Sequence, residues 1–277
     1  MTEGHRFKIY GKAEFRSPSL IVGWSQDAGR LGPNVIDFLK RKLDAQDFAE
    51  IEPSEFFPAT GVLIEDDIAQ LPEAKFFSCE EKDILLFKSD GPGQAHYEFL
   101  TALLEVAQHH CRAVELYTIG GIISVMAHSG PRRVSAIANQ PQLKRTLAAY
   151  DIETDLNYET PPGGRPTLSS FLLWAAKRRN IAGAALWTEV PFYLAATEDP
   201  RACKQVLTIL DKKLNLGMDL AELDWEIEKQ NEKIEELKGQ DSDIHKYIEM
   251  LQRGMMLSET ESEKLAERVT EFLGKRG

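Results

Sequence analysis

The feature of this sequence that most constrains its fold is a repeated alternation of short apolar runs and amphipathic segments. Residues 19–24 form an apolar run, and a glycine-bearing turn leads from it into residues 35–43, where the apolar positions keep helical spacing. The same order returns with an apolar run at 83–88 and an amphipathic segment at 95–110. Continuous apolar runs of this length are typical of strands that are buried on both faces of a sheet.

The alternation continues along the chain and predicts an α/β protein. Strands separated by helices favour a largely parallel sheet with helices on both faces. Three short apolar segments at 48–52, 61–64 and 75–79 follow one another without a helix, which predicts an antiparallel portion and therefore a mixed sheet. We expect a three-layer α/β/α fold. The other predicted strands are 113–118, which stops at Gly120-Gly121, 133–139 and 182–187, and the other predicted helices are 142–149, 168–179 and 200–214.

A shift in charge separates the last part of the chain from the rest. Residues 217–277 contain 16 acidic and 9 basic side chains, a net charge of −7, whereas the whole chain has a net charge of −11. We place the boundary near Leu216-Gly217. This predicts an α/β core domain at 1–216 and an acidic helical tail at 217–277.

The tail carries narrow apolar stripes at helical spacing. Gly239 and Gly254 interrupt the pattern, which predicts two or three helices rather than one. A stripe on one side of a helix must pack against something, so we expect it to bind a partner surface, either on the same chain or on a neighbouring subunit. The residues of the first stripe are Leu220, Leu223, Ile227, Ile234 and Leu237.

Composition and charge argue against several classes of function. A net charge of −11 argues against general nucleic-acid binding, which needs a basic face. No apolar run approaches the roughly 18–20 residues that span a bilayer, and residues 1–8 lack the apolar core of a signal peptide. Cys79, Cys111 and Cys203 are odd in number and far apart, as expected of thiols in a reducing compartment. We expect a cytoplasmic protein that binds neither nucleic acid nor membrane.

The turns after the predicted strands place polar and aromatic residues at one edge of the sheet. In an open parallel sheet, ligands bind beyond the carboxyl ends of the strands, and turns at 23–27, 89–93, 118–121, 139–141 and 187–193 would converge there. Glycine and proline in these turns are also explained by the turns alone, so both interpretations stay open. The candidate pocket residues are Trp24, Asp27, Arg30, Tyr117, Gly120, Gly121, Glu189 and Tyr193.

No set of residues for catalysis, metal binding or cofactor binding can be assembled from the sequence. The glycine spacing over residues 23–32 matches neither the dinucleotide-binding nor the P-loop motif, although Gly120-Gly121 could offer backbone amides to an anion. Residues 109–111 (His-His-Cys) are adjacent on a predicted helix and point about 100° apart, so they cannot close on one metal ion. We expect no cofactor and no metal, and we lean towards a protein that is not an enzyme.

Two further polar pairs are interpreted as structural. His128-Ser129 lies beside Gly130-Pro131 and is interpreted as a surface turn. Arg132-Arg133 is interpreted as a solvated or oligomer-facing pair rather than as a phosphate clamp.

Several of these segments together resemble the proteasome assembly chaperone family. The similarity extends over about residues 15–215 and points to the prokaryotic relatives of the second-subunit type. The segments that carry the resemblance are Ile21-Val22-Gly23-Trp24, residues 29–34, residues 117–121, Asn139-Gln140-Pro141 and residues 186–193.

The resemblance implies a three-layer fold akin to phosphorylase/hydrolase-like domains, a C-terminal helical extension and homo-oligomers. Eukaryotic relatives act as heterodimeric chaperones that assemble proteasome α-rings, and some archaeal relatives dock on proteasome rings through a C-terminal hydrophobic-Tyr-X tail. The sequence at 271–277 has no such tail, so we do not expect docking by that route. Prokaryotic members are sometimes grouped as ATP-grasp-like, but no glycine-rich loop with a lysine partner is present.

Two functional hypotheses follow from the sequence. The preferred one is a non-enzymatic, self-associating protein of the assembly-chaperone kind, whose partners are itself and a protein client. The alternative is an enzyme or sensor that binds a nucleotide or small anion at the strand-end edge of the sheet.

Overall fold

The computed structural model describes residues 6–57, 63–65, 67–70, 72–154, 156, 157, 159 and 167–274. The strands are β1 (Phe7–Ile9), β2 (Ser19–Trp24), β3 (Gln46–Ile51), β4 (Leu63–Glu65), β5 (Ile68–Gln70), β6 (Ala74–Cys79), β7 (Ile84–Ser89), β8 (Glu115–Ser124), β9 (Val134–Ala138) and β10 (Ala182–Pro191). The helices are α1 (Leu31–Lys42), α2 (His96–Glu105, continued by a π-helical turn Val106–His110), α3 (Pro141–Leu147), α4 (Leu168–Arg178), α5 (Pro200–Leu214), α6 (Ala221–Gln240), α7 (Ser242–Gln252) and α8 (Glu259–Gly274).

Eight of these strands form one mixed sheet in the order β1-β3-β6-β7-β2-β8-β10-β9. The central strands β7, β2, β8 and β10 run parallel to one another, whereas β6 pairs antiparallel with β7, β9 with β10, and β3 with both β1 and β6. Helices lie on both faces, so the predicted three-layer α/β/α fold with a mixed, largely parallel sheet and C-terminal helices is confirmed.

The two faces of the sheet have separate hydrophobic cores. On one face, Ile21 and Tyr117 pack with residues of α1 and α5, and the core continues into α6, α7 and α8. On the other face, Trp24 and Leu116 pack with residues of α2 and α4. Successive strand residues point to opposite faces, which is why neighbours along β2 and β8 contribute to different cores.

The strand predicted at 133–139 runs in a direction that the sequence did not indicate. It forms β9, which pairs antiparallel to β10, so the turn at 139–141 lies at the opposite edge of the sheet from the other four turns. The reason is the short connection: only residues 125–133 join β8 to β9, and a strand that returned parallel to β8 in the same sheet would need a crossover of a dozen or more residues.

Two other strand predictions were wrong in their extent or pairing. The segment predicted at 61–64 contributes β4, which pairs with β5 in a separate two-stranded sheet; residues 61 and 62 lie outside the described part of the chain. The strand predicted to stop at Gly120-Gly121 instead continues to Ser124. Gly120 and Gly121 are therefore residues of the strand itself and do not form the turn after it.

The tail forms three helices and packs on the core domain of the same chain. Leu223, Ile234 and Leu237 are buried in the hydrophobic core that also contains α1 and α5, and Leu220 is half-buried against it. Ile227 is buried as well. Of the two surfaces that the sequence left open for this stripe, the structure has the one on the same chain, which leaves the four buried side chains inaccessible to a neighbouring subunit. Cys79, Cys111 and Cys203 are all buried and free. Of the helices described, none is long and apolar enough to cross a membrane.

Candidate functional site

At the carboxyl edge of the sheet, two strands reach further than their neighbour. The pairing of β2 with β8 ends at Gly23 and Ile119, whereas β8 and β10 remain paired as far as Ser124 and Pro191. Residues 121–124 of β8 and 188–191 of β10 therefore project beyond β2 as a two-stranded segment, which we call the ribbon.

Asp27 fixes the base of the ribbon to the loop after β2. One carboxylate oxygen accepts the backbone N–H of Gly121 at 2.8 Å, and the other accepts the N–H of Gly32 in the first turn of α1 at 2.9 Å. Burial raises the pKa of Asp27 from 3.8 to about 6, because the charged form is disfavoured away from water, and these hydrogen bonds partly oppose the shift. The carboxylate thus joins a loop, a helix and a strand.

The glycines at this position allow the backbone segments to come close together. A Cβ atom on Gly23 would collide with the carbonyl group of Gly32 and the side chain of Ile36, and a Cβ on Gly121 would collide with the carbonyl oxygen of Ala28. Close backbone approach is a structural reason for glycine at such sites. The glycines that suggested a ligand site in the sequence are therefore required by the packing of α1 and its preceding loop.

Trp24 and Gly120 lie on the other face of the sheet from this contact. The indole N–H of Trp24 donates to the hydroxyl oxygen of Ser169 in α4 at 3.0 Å. The ring of Trp187 lies where a Cβ on Gly120 would point. Because Trp24 projects to the α2–α4 face and Tyr117 projects to the α1–α5 face, these two candidate residues cannot line one cavity.

The remaining candidate residues are divided between the core and the surface. Tyr117 is fully buried and donates its hydroxyl hydrogen to Glu115 at 2.7 Å, while burial raises the pKa of its phenol well above the usual range. Arg30 is exposed, with a left-handed backbone (φ 49°) directly before α1. Glu189 is half-buried and pairs with exposed Arg133 at 2.7 Å, which lowers the pKa of the carboxyl group.

A buried polar network behind the ribbon was not predicted. The side chains of Arg132 and Asp199 are completely buried and form an ion pair at 2.8 Å, and Asp199 also accepts the N–H of Ala202 as the N-cap of α5. The interpretation of Arg132-Arg133 as a solvated pair was therefore wrong for Arg132, although Arg133 is exposed. An aspartate directly before Pro200 is a local signal for a helix cap, but no local signal indicates a partner 67 positions away.

The same network contains the last candidate residue, Tyr193. Its hydroxyl oxygen accepts the backbone N–H of His128 at 2.5 Å and lies 3.0 Å from the Nδ1 atom of that histidine. His128 is buried rather than part of a surface turn, and burial together with nearby Arg132 lowers its pKa from 6.5 to about 4. Both side chains are closed off from solvent, so this arrangement stabilises the loop and does not present a reactive group.

The ribbon itself presents apolar side chains to solvent. Ile122 and Ile123 are consecutive residues of β8, so they point to opposite faces, yet they are 51% and 60% exposed, and Val125 just beyond them is 54% exposed. Exposed apolar patches of this kind mark protein-interaction sites. Within the described chain, the free edge of β8 beside Ile123 has no neighbouring strand, because β2 has already ended. The geometry of this edge suits contact with another protein.

Comparison with models of known protein families identifies the family of this chain. A model of the PAC2 family matches residues 20–238, which is most of the sequence and extends past the boundary predicted near residue 216. The chain belongs to the PAC2 family. The resemblance to proteasome assembly chaperones that was drawn from the sequence is confirmed. Among curated protein sequences, none matches this PAC2 chain.

Solved structures of similar fold come from archaea and bacteria. PbaB of Pyrococcus furiosus, an archaeal proteasome activator, is 23% identical with a TM-score of 0.69 over 84% of this chain and 98% of its own. PbaA of the same organism, an archaeal homologue of a proteasome-assembly chaperone, is 20% identical with a TM-score of 0.67 over 91% of this chain and 100% of its own. A proteasome-assembly chaperone homologue of Mycobacterium tuberculosis is 18% identical with a TM-score of 0.68 over 84% and 100%. These structures share the fold of this PAC2 protein.

The three solved structures share the overall fold of this chain. Each of the three structures aligns over nearly its full length, so the sheet and its helical layers are common to all of them. Within the described residues, no group of three or more potential ligands is arranged to hold a metal ion. The carboxyl edge of this PAC2 chain carries the Asp27–Gly121 contact, the buried network and the exposed ribbon.

Proposed function

We propose that this PAC2 protein is a non-enzymatic, chaperone-like protein that self-associates and holds a protein client at the ribbon. The proposal is supported by family membership and by the descriptions of the similar structures as a proteasome activator and as proteasome-assembly chaperone homologues. The proposed client is a protein subunit of a larger assembly. A proteasome-type ring subunit is the first one to test.

The observation that carries the proposal is the exposure of Ile122 and Ile123 on both faces of the ribbon. A residue pair on a strand normally buries at least one side chain in a sheet of this kind. Fully covering an isoleucine side chain contributes about 1.5–3 kcal/mol, so a partner that encloses both would gain substantial affinity. The free edge of β8 adds backbone N–H and C=O groups to which an extended segment of the client can bind.

The rival hypothesis, a nucleotide or small anion at the strand-end edge, has no specific observation in its favour. The amide of Gly121, which the sequence suggested for an anion, already donates to the Asp27 carboxylate. A second anion beside that carboxylate would be repelled. Tyr117 and Tyr193 are buried in the core and cannot contact a ligand in this conformation.

The decisive experiment is site-specific photo-crosslinking in cells of the source organism. A photoreactive amino acid replaces Ile123 in one variant and Val114 in a control. Val114 lies at the opposite end of β8 and is 48% exposed, so the control matches the probe in exposure. We expect one defined client to crosslink at position 123 and not at position 114, and Ile122→Glu in the same chain to reduce the yield at least about tenfold.

Two results would overturn the assignment of the ribbon. Equal crosslinking at positions 123 and 114 would show that the ribbon is not a selective surface. A crosslink from position 123 to a second copy of the chain alone would make the ribbon a self-association surface and remove the client from the proposal.

A further inference from the structure

The α2–α4 face of the sheet is not covered by the tail and carries three aromatic side chains. Tyr97 on α2 and Trp174 on α4 are 50% and 45% exposed, with their rings 6.2 Å apart. Phe171 lies between them, 5.4 Å from Trp174 and 6.2 Å from Tyr97. On the opposite face of the sheet, α5 is covered by α6 and its hydrophobic residues are buried. The aromatic cluster is thus an apolar area on the one helical layer that no part of the described chain covers.

A group of cations extends this cluster along α4. Arg178 lies over the ring of Trp174, 5.1 Å from its centroid, and Lys177 beside it is exposed. Neither has an ion-pair partner in the described part of the chain, whereas Lys40, Arg41 and Lys42 at the end of α1 are all paired. The helix dipole favours cations at this end of α4. It does not account for the adjoining exposed aromatic rings. We call Tyr97, Phe171, Trp174, Lys177 and Arg178 the aromatic–basic face.

The complementary surface lies on α6. Trp225, Glu228, Glu232 and Glu236 follow one another at three- and four-residue steps, so they lie on one side of the helix. All four are exposed, and no ion pair involves the three glutamates in the structure as described. Lys229 of the same helix lies over the ring of Trp225, 4.7 Å from its centroid, so the match to the cations on α4 rests on the three unpaired glutamates. We call these four residues the acidic stripe.

We propose that the aromatic–basic face of one copy docks on the acidic stripe of a second copy. The proposal rests on the self-association part of the proposed function and names the two surfaces involved. One chain cannot bring them together, because α4 packs on one face of the sheet while α6 packs on α5 at the other. Charge complementarity then selects a second copy as the occupant.

The contact joins two different surfaces, so each copy has one of each kind to offer. Such heterologous contacts generate a closed ring when the rotation between neighbours closes, and an open chain when it does not. Because the attraction is largely between exposed charges, it weakens as salt is added.

The test is a charge exchange on each surface and then on both surfaces of one chain, read by sedimentation velocity over a range of protein concentrations. One variant carries Lys177→Glu and Arg178→Glu, and the other carries Glu228→Lys and Glu232→Lys. Each variant alone presents like charges on both surfaces, so we expect its association to weaken at least about tenfold. A single chain that carries all four substitutions pairs its acidic face with the basic stripe of the next copy in every contact, whether the ring has an odd or an even number of copies, so we expect the wild-type mass to return.

A control separates this contact from a general effect of charge. Glu80→Lys with Glu81→Lys makes the same charge change at an exposed turn between β6 and β7 and should leave the mass unchanged. A wild-type protein that stays monomeric at all concentrations would overturn both self-association and this contact. If the wild type associates but neither exchange weakens it, or if combining both exchanges in one chain does not restore the mass, the contact is refuted while self-association stands.

Discussion

The carboxylate of Asp27 accepts the backbone N–H of Gly121 at 2.8 Å, at the point where β2 no longer accompanies β8. The side chain therefore continues, for one residue, the hydrogen bonding that a longer β2 would have supplied. Beyond it, the edge of β8 is open and the ribbon begins. The position of a single carboxylate determines where the closed sheet ends and the exposed ribbon starts.

The first prediction concerns the pH dependence of stability through Asp27. Its pKa is about 6 in the folded protein and ordinarily 3.8, so between these values the folded state binds more protons than the unfolded state. The raised pKa of Asp27 therefore stabilises the folded state at low pH. The stabilisation is complete below pH 3.8 and is lost as the pH rises through 6. We compare the free energy of unfolding of the wild type with that of Asp27→Asn. The wild-type value minus the variant value should rise by at most about 3 kcal/mol when the pH is lowered from 7 to 4.

Urea unfolding at a series of pH values measures this difference. The comparison with Asp27→Asn is needed because buried His128, whose pKa is lowered to about 4, contributes with the opposite sign over part of the same range. A difference that stays constant between pH 7 and pH 4 would contradict the predicted role of Asp27.

The second prediction concerns the buried ion pair of Arg132 and Asp199. Arg132→Met leaves the Asp199 carboxylate buried without its counter-ion, so we expect a loss of about 3–5 kcal/mol in the free energy of unfolding. Arg133→Met, at the next position, removes an exposed arginine and should cost less than about 1 kcal/mol. Chemical denaturation of the two variants measures both values. Equal losses would mean that the burial of Arg132 has no energetic consequence.

The third prediction compares two glycines. Gly23→Ala forces a Cβ atom against the backbone of Gly32, and we expect a loss of at least about 1–3 kcal/mol because backbone cannot move aside as a side chain can. Gly239→Ala, in α6, meets no atom within 4 Å and should raise stability by up to about 1 kcal/mol. Thermal unfolding of the pair measures the sign of each change. A harmless Gly23→Ala would disprove the close approach of α1 to β2.

The fourth prediction concerns the tail. Ile234 is fully buried in the core shared with α5, so Ile234→Ala should cost about 2–5 kcal/mol in the monomer. Trp225→Ala on the exposed side of the same helix should leave the free energy of unfolding nearly unchanged while weakening self-association. Denaturation followed at low concentration, with sedimentation in parallel, separates the two effects. If Ile234→Ala were as mild as Trp225→Ala, the packing of α6 on the core domain would be in error.

Much of the fold could be predicted because its strands are short apolar runs between glycine-bearing turns. The helix predicted at 200–214 is α5, Pro200–Leu214, with proline at its start and Asn215 in the left-handed conformation at its end. The strand predicted at 75–79 differs from β6 by one residue. The direction of β9 could not be predicted from its own residues, since it depends on the length of the connection before it.

The site was harder to predict than the fold, because it depends on contacts between distant segments. Asp27 and Gly121 were both singled out, but for a ligand rather than for each other. Tyr117 and Tyr193 lie near strand ends in the sequence. Both are buried in the structure because of the sheet face to which each strand residue points and because of how the loops pack, and neither can be read from the neighbouring residues. The exposed pair Ile122 and Ile123 has the composition of a buried strand, so hydrophobicity alone pointed away from the surface.

The packing of α8 has a consequence for the order in which the molecule matures. Its buried residues Leu265 and Val269 belong to the core behind the ribbon, and the helix contacts Phe192–Leu194 directly after β10. During synthesis, the whole sheet emerges from the ribosome before this helix does. The ribbon is therefore synthesised before the helix that packs behind it, and the core behind the ribbon is completed only when α8 docks.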